Sequence, residues 1–222
     1  MRNYECNKLS ILGSNANGLK NKISSLEFNI SVFRPSIITI QETKAKQRSQ
    51  FKLRGYETFE KIREGCLGGG GLLTAIDENL NPFEVPSDIS DDTEVLIVQF
   101  SLGSDVVRVI NAYGPQEDDG FNTITQFWLR VEKEIALAKD LNCKVIVQLD
   151  ANAKLGADLI SGDPHPQSPN GSIMWEMILR HGLVVANTSP KCMGVITRQK
   201  QTQSGLEKSV LITFWYVNLL VA

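Results

Sequence analysis

The chain has few of the features that mark specialised protein classes. Its 222 residues include four cysteines, two histidines and 7% aromatic residues, and the formal net charge is −2. This charge excludes a strongly basic nucleic-acid coat protein, and 42% hydrophobic with 22% charged residues excludes a disordered or collagen-like chain. The cysteines are too far apart for zinc-ligand spacing, so we expect a reducing, intracellular environment; they are Cys6, Cys66, Cys143 and Cys192.

Long hydrophobic runs are also missing. The most apolar stretch, residues 210–222, has 13 residues with Asn218 inside it, whereas a spanning helix needs about 20. The N-terminal sequence MRNYECNKLS has no apolar signal core. Without internal repeats or low-complexity linkers, we expect one globular domain over residues 1–222, with no membrane partner.

Charge is distributed unevenly along the chain. Residues 1–63 contain 12 Lys+Arg and 5 Asp+Glu, whereas residues 64–163 contain 6 and 18. A basic first quarter beside an acidic middle is compatible with binding a polyanion at one edge. The alternative is that the two regions pack together and neutralise each other.

Strand and helix patterns alternate along the chain. Helical spacing of apolar residues predicts one-sided helices on opposite outer faces of the sheets over residues 20–33 and 122–139, and a further helix over 172–181. A Pro-, Gly- and Asp-rich loop is predicted over 158–171. Strands are predicted at residues 8–14, 37–40, 72–76, 94–100, 106–112, 144–149 and 183–187. This order indicates an α/β or α+β layered domain.

Polar residues follow the predicted strands where each one ends. They are Asn15, Glu42, Tyr113, Asp150 and Asn152. Strand ends on a rigid sheet are where functional sites are built. Each residue also has an ordinary structural interpretation, because Asn and Asp favour turns, Glu42 could cap a helix, and Asp150 with Asn152 could form an Asx turn.

Four motifs in order resemble the endonuclease/exonuclease/phosphatase family. They read SNANGL from residue 14, IQET from residue 40, NAYGP from residue 111 and LDANA from residue 149. The first two motifs are most similar to the apurinic/apyrimidinic-type endonuclease domains of LINE-type (non-LTR) retrotransposons. The resemblance covers residues 8–211 and implies a four-layer sandwich of two mixed β-sheets flanked by helices.

The resemblance implies Mg²⁺-dependent (or Mn²⁺-dependent) hydrolysis of a phosphodiester. Glu42 would bind the metal, and Asp150 would orient or deprotonate the attacking water. Asn152 would donate to the phosphoryl oxygens, while Asn15 and Tyr113 would complete the catalytic set. The implied partner is the DNA phosphate backbone and the implied location is the nucleus, with no small-molecule cofactor. The substrate-binding candidates are Thr197, Arg198, Lys44 and Lys46, and further basic candidates are Lys20, Lys22 and Arg48.

The C-terminal part departs from the family pattern. A late Ser-x-x-Asp motif reads Ser209-Val210-Leu211-Ile212, so Ile stands where Asp is expected, and no terminal Ser-Asp-His follows. His165, between prolines in a loop, and His181, at a predicted helix end, are not expected to replace the missing His. We expect a divergent tail over residues 212–222 and a C-terminally incomplete sandwich.

Three functions remain open from the sequence. The first is a DNA-nicking endonuclease of retroelement origin, weakened or inactive because the late Asp and the terminal motif are absent. The second is a catalytically dead nucleic-acid-binding or interaction module. The third is a phosphoesterase of the same fold that acts on phosphoinositides or sphingolipid.

Overall fold

A computed structural model describes most of the chain in backbone and side-chain detail. The residues described are 9–48, 50–63, 69–86, 93–156, 166–186, 198–202, 205–209 and 212–216, and the last three stretches are described for the backbone alone. Within these ranges, no helix is both long enough and apolar enough to cross a membrane.

A four-stranded mixed sheet comes from the first third of the chain. Its strands are β1 (Ile11–Asn15), β2 (Ile37–Gln41), β3 (Tyr56–Lys61) and β4 (Leu72–Asp77), in the spatial order β1-β2-β4-β3. Strands β1 and β2 are parallel, and the other two pairs are antiparallel. Strands β2 and β4 are buried along their whole length, which explains their mainly apolar sequences, IITIQ and LLTAID.

A six-stranded mixed sheet contains most of the remaining strands. They are β5 (Phe83–Glu84), β6 (Val95–Leu102), β7 (Asp105–Tyr113), β8 (Lys144–Asp150), β9 (Leu183–Val185) and β12 (Ile212–Tyr216). Their order is β5-β6-β7-β8-β12-β9, with β7 and β8 parallel. A separate antiparallel pair is formed by β10 (Arg198–Thr202) and β11 (Gly205–Ser209).

In the described part of the chain, three α-helices lie outside the sheets. Helix α1 (Ile23–Phe33) follows a 3-10 turn at Leu19–Lys22, and α2 spans Phe121–Asp140. Helix α3 (Pro169–His181) begins three residues before its predicted start, so residues 169–171 are helix rather than loop. The reason is local: the Ser168 side chain accepts from the Gly171 amide, and Pro follows the cap directly.

Three apolar clusters define four layers. The Leu26 side chain of α1 packs on one face of the four-stranded sheet, and Ile37 lies in the cluster between the two sheets. Helices α2 and α3 cover the far face of the six-stranded sheet, with Val131 and Met174 in that cluster. The predicted sandwich of two mixed sheets flanked by helices is confirmed, as are the opposite outer positions of α1 and α2.

Several strands were not among those predicted, including β5 and the β10–β11 pair. Strand β3 was not predicted, because its sequence YETFEK is largely polar and it lies at the sheet edge. Residues 212–216, in the stretch expected to be a divergent tail, form β12, which lies between β8 and β9 and pairs antiparallel with both. Ile212, where the motif predicts Asp, pairs with Leu149, one residue before Asp150.

Candidate active site

The site lies where two parallel strand pairs, one from each sheet, end side by side. Asn15 ends β1 opposite Gln41 of β2, and Tyr113 ends β7 opposite Asp150 of β8. Because carboxyl ends of parallel strands share one edge of a sheet, each sheet supplies half of the polar groups. Glu42 follows β2 directly.

Asn15 joins the two halves. Its Nδ2 donates to Glu42 Oε1 at 2.6 Å and to Asp150 Oδ2 at 2.7 Å, so those two carboxylate oxygens lie within about 5 Å of each other. The Asn15 Oδ1 accepts from the Asn17 amide at 2.9 Å, and Asp150 Oδ1 accepts from the Asn152 amide at 3.3 Å. Both motifs therefore form the Asx turns that their sequence favours, and the same turns aim the side chains into the site.

Glu42 has an unusual backbone conformation. Its φ is 50°, in the left-handed region that residues other than Gly seldom adopt. Neighbouring segments hold it there: the Glu42 carbonyl accepts from Gly18 N at 2.7 Å, and Thr43 N donates to Gly71 O at 3.0 Å. Lys44 N donates to Gly70 O at 2.9 Å. This clamped turn directs the half-buried carboxylate towards Asn15.

Tyr113 forms one wall of the site. Its hydroxyl donates to Glu42 Oε1 at 3.0 Å. Burial raises the pKa of Tyr113 to about 12; the Glu42 hydrogen bond and the charges of Glu42 and Asp150 act in the same direction, and a hydrogen bond with Asn152 opposes them. The phenol is therefore protonated, and can donate, throughout the physiological pH range.

Asn152 completes the cluster from the six-stranded sheet. Its φ is 44°, and its Nδ2 donates to the Gly114 carbonyl at 2.7 Å. This contact fixes the amide beside the end of β7. The same amide makes the hydrogen bond with Tyr113 that lowers the tyrosine's pKa, so a phosphate would have to compete with the phenol for that N–H.

Buried polar residues link the sheets directly beneath the site. Asn111 Nδ2 donates across the interface to Leu73 O at 2.9 Å and Thr74 Oγ1 at 3.2 Å. Asn111 Oδ1 accepts from Gln41 Nε2 at 2.6 Å. This buried network links the two sheets and hence the two half-sites, and within it the Gln41 Oε1 atom has no hydrogen-bond partner among the described residues.

The basic residues predicted to bind DNA differ in how far the structure describes them. Lys44 is exposed beside the site, where its Nζ donates to Asn17 Oδ1 at 2.6 Å. Lys20, Lys22, Lys46 and Arg48 are also exposed. Thr197 lies outside the described residues, and Arg198 opens β10, where the backbone alone is described.

Glu94 and its two partners, Gly71 and Arg63, were not predicted from the sequence as part of the site. Glu94 is buried, accepts from the Gly71 amide, and pairs with the Arg63 guanidinium. The Arg63 guanidinium carbon lies 5.8 Å from the centre of the Tyr113 ring. The sequence feature that could have indicated this region is the glycine run before β4. In the structure, Gly70 and Gly71 of that run both have positive φ and lie beside the Glu42 turn.

The donor set fits a hard divalent cation. Among the described residues, no group of three or more His, Cys, Asp or Glu side chains is arranged to hold a metal ion. Mg²⁺ commonly takes only one or two carboxylates from the protein and keeps several waters, and Glu42 with Asp150 meets that requirement. Their two oxygens already share one donor, the Asn15 amide, which compensates part of their repulsion.

His181 lies away from the site. It is the last residue of α3, and its Nε2 is 2.9 Å from Glu132 Oε1 on α2. This places it in the outer helical layer, as expected for a residue at a helix end. His165 lies outside the described residues.

Comparison with known proteins supports the fold. No protein-family model and no curated protein sequence matches the chain. The endonuclease domain of TRAS1, a telomere-specific non-LTR retrotransposon, is similar with a TM-score of 0.70 and 17% identity, over 94% of this chain and 85% of that one. The AP endonuclease LMAP from Leishmania major has a TM-score of 0.76 and 15% identity, over 95% and 80%. The 3'-5' exonuclease NExo from Neisseria meningitidis has a TM-score of 0.71 and 16% identity, over 93% and 86%. The chain has the endonuclease/exonuclease/phosphatase fold.

Proposed function

We propose that the chain is a divalent-metal-dependent phosphodiesterase that nicks DNA, of retroelement origin, with reduced turnover. The observation that carries the proposal is the Asn15 amide, which bridges the Glu42 and Asp150 carboxylates at the meeting point of the two sheets. The structural similarity of the chain to a retrotransposon endonuclease domain and to an AP endonuclease supports DNA as the substrate. Such an activity requires access to chromosomal DNA, so the proposal includes a nuclear location.

Each site residue has a role that its contacts allow. Glu42 holds the cation, and Mg²⁺ or Mn²⁺ bound there would supply charge stabilisation for the phosphoryl oxygens. Asp150 accepts a proton from, or orients, a water molecule. The Tyr113 phenol and the Asn152 amide would donate to the phosphate as its negative charge increases, in exchange for their present contacts with Glu42 and with each other.

Exposed lysines would position the DNA. Lys44, held by Asn17 beside the site, and Lys46 on the same loop contribute positive charge where a phosphate backbone would approach. Contacts to phosphates carry no sequence information. DNA binding should weaken as the salt concentration rises, because neutralised phosphates release counterions.

One sequence position within the described strands supports a low turnover. Ile212 pairs with Leu149 next to Asp150, at the place where the family motif has Asp. An Ile side chain neither accepts a hydrogen bond nor neutralises a cation. For this reason a catalytically dead nucleic-acid-binding module remains the second candidate.

The test compares nicking with binding. Supercoiled plasmid is incubated with the wild type in Mg²⁺, in Mn²⁺ and in EDTA, and with Glu42→Gln, Asp150→Asn and Ile212→Asp. Glu57→Gln is the matched control, since Glu57 is exposed on β3 near the end of the sheet away from the site. We expect weak, EDTA-sensitive nicking that both site variants abolish, the control retains and Ile212→Asp increases. DNA binding without nicking by the wild type and by Ile212→Asp would favour the second candidate, and nicking unchanged by Glu42→Gln would refute the site.

A further inference from the structure

We propose that Glu94 is a positioning residue that holds the Glu42 turn and Tyr113 in register with each other. The inference rests on the proposed function, because it concerns the same site. Glu94 precedes β6, and its carboxylate contacts Gly71 and Arg63 rather than the side chains expected to touch the substrate. Its effect would therefore pass through the backbone segments that carry them.

The Glu94 carboxylate divides its contacts between two different segments. One oxygen accepts from the buried Gly71 amide, and the other pairs with the Arg63 guanidinium. The Glu94 side chain is 6% exposed, whereas that of Arg63 is 37% exposed. A charge buried to this degree needs both a counter-ion and a hydrogen-bond donor, and Glu94 has both.

The first connection runs from Glu94 to Glu42. The Gly71 amide is fixed by Glu94, and the Gly71 carbonyl accepts from Thr43 N at 3.0 Å. Gly70 accepts from Lys44 N at 2.9 Å. These two hydrogen bonds hold the residues directly after Glu42, whose left-handed φ needs such support.

The second connection runs from Glu94 to Tyr113. The Glu94 carbonyl accepts from Tyr113 N at 3.0 Å, at the point where β7 ends. Arg63, held by the Glu94 carboxylate, lies 5.8 Å from the Tyr113 ring centre. The Tyr113 hydroxyl then meets Glu42 Oε1 at 3.0 Å, so both connections end on the same hydrogen bond.

The glycines fit this arrangement. A Cβ at Gly70 would lie 2.3 Å from Glu94 Oε1, and a Cβ at Gly71 would lie 2.6 Å from Thr43 Oγ1. Glycine is therefore needed where the carboxylate on one side and the Glu42 turn on the other approach the same backbone.

The experiment measures the turn directly, without DNA. Amide hydrogen exchange of Thr43 and Lys44 is followed by NMR in the wild type, Glu94→Ala and Glu94→Asp. Mn²⁺ affinity is measured by electron paramagnetic resonance on the same samples. Glu134→Ala is the matched control: Glu134 is equally buried and paired with Arg108 and Arg130, but it lies on α2, beyond the six-stranded sheet.

We expect Glu94→Ala to speed exchange at these two amides by about tenfold relative to the rest of the four-stranded sheet. We expect Mn²⁺ affinity to fall about 10- to 100-fold, as is typical when a partner behind a metal ligand is lost. Glu94→Asp keeps the charge but is one methylene too short for both contacts, so it should show the same pattern to a smaller extent.

The outcomes separate this inference from the proposed function. Exchange at Thr43 and Lys44 that rises no more in Glu94→Ala than in Glu134→Ala would overturn the positioning role. If Glu94→Ala does not fold, an unchanged exchange pattern in Glu94→Asp would overturn it instead. A wild type that binds no Mn²⁺ would count against the proposed function alone, because the exchange comparison still decides the role of Glu94.

Discussion

Replacing Asn15 by Asp tests the site most directly, because the change keeps the shape of the side chain and reverses its chemistry. The Asn15 amide nitrogen lies 2.6 Å from Glu42 Oε1 and 2.7 Å from Asp150 Oδ2. Asn15→Asp removes both N–H donors and puts a third carboxylate between the other two. Hydrogen bonds to charged groups contribute about 1.5–3 kcal/mol each, and these groups are partly exposed, so we expect a loss of about 3 kcal/mol at pH 8.

The pH dependence of the loss has a definite sign. The added carboxylate repels the other two most strongly when all three are ionised, and protonation at lower pH relieves that repulsion. The folded state of the variant is therefore penalised most at high pH. Asn15→Asp should therefore lose less stability at pH 5 than at pH 8, and Mg²⁺ should recover part of the loss at pH 8.

Urea unfolding at both pH values, in EDTA and in Mg²⁺, measures these effects. Asn17→Asp is the control, because it makes the same chemical change two residues away, where Asn17 Oδ1 faces Lys44 Nζ at 2.6 Å. There a new surface ion pair should change stability by less than about 1 kcal/mol. Equal losses in the two variants, with no pH or Mg²⁺ dependence, would refute the convergence of Asn15, Glu42 and Asp150 on one site.

Three further predictions concern the surroundings of the site. In urea unfolding, Gly71→Ala should destabilise the protein by about 1 kcal/mol more than Gly55→Ala. Both glycines have positive φ, but a Cβ at Gly71 would lie 2.6 Å from Thr43 Oγ1, whereas a Cβ at Gly55 would meet open space. Equal losses of stability would contradict the tight packing at Gly71. The nicking rate should show no titration of Tyr113 between pH 6 and 9, because its raised pKa of about 12 keeps the phenol protonated. Tyr113→Phe should lower the rate without changing the shape of the pH profile. A titration step in the wild type that disappears in Tyr113→Phe would contradict this. Asn111→Ala should cost about 2–4 kcal/mol in unfolding experiments, because it leaves buried groups of both sheets unpaired; a loss below about 1 kcal/mol would contradict that role.

The elements that the sequence predicted correctly depend on short-range patterns. Helix α2 and strand β8 follow from the spacing of apolar residues within a few turns or pleats, and that spacing survives in the fold. Strand β3 was not predicted, because a strand at the edge of a sheet tolerates polar residues. Its sequence therefore lacks the run of apolar residues that indicates a buried strand. The residues of β12 were assigned to a divergent tail because the sequence resemblance to the family ends at residue 211. The backbone pairing of the sheet nevertheless continues through β12.

The candidate site shows the same division. Asn15 and Asp150 were selected because polar residues directly after apolar strands are visible in the sequence. Glu94 was not, because its partners Gly71 and Arg63 lie 23 and 31 residues away along the chain, and such pairings depend on the packing of the sheets. The strained turn at Glu42 was equally hidden, since nothing in QETK signals a left-handed backbone.

The division of the site between two sheets has a consequence for how it forms. Asn15 and Asp150 are 135 residues apart in the chain, and each belongs to a sheet with its own strand pairing. Contacts this distant in sequence form late in folding, because the entropy of closing the loop between them must be overcome first. The polar groups of the site would therefore assemble in the final docking of the two halves. Partial unfolding that separates the halves would then abolish the proposed metal binding while most of the secondary structure persists.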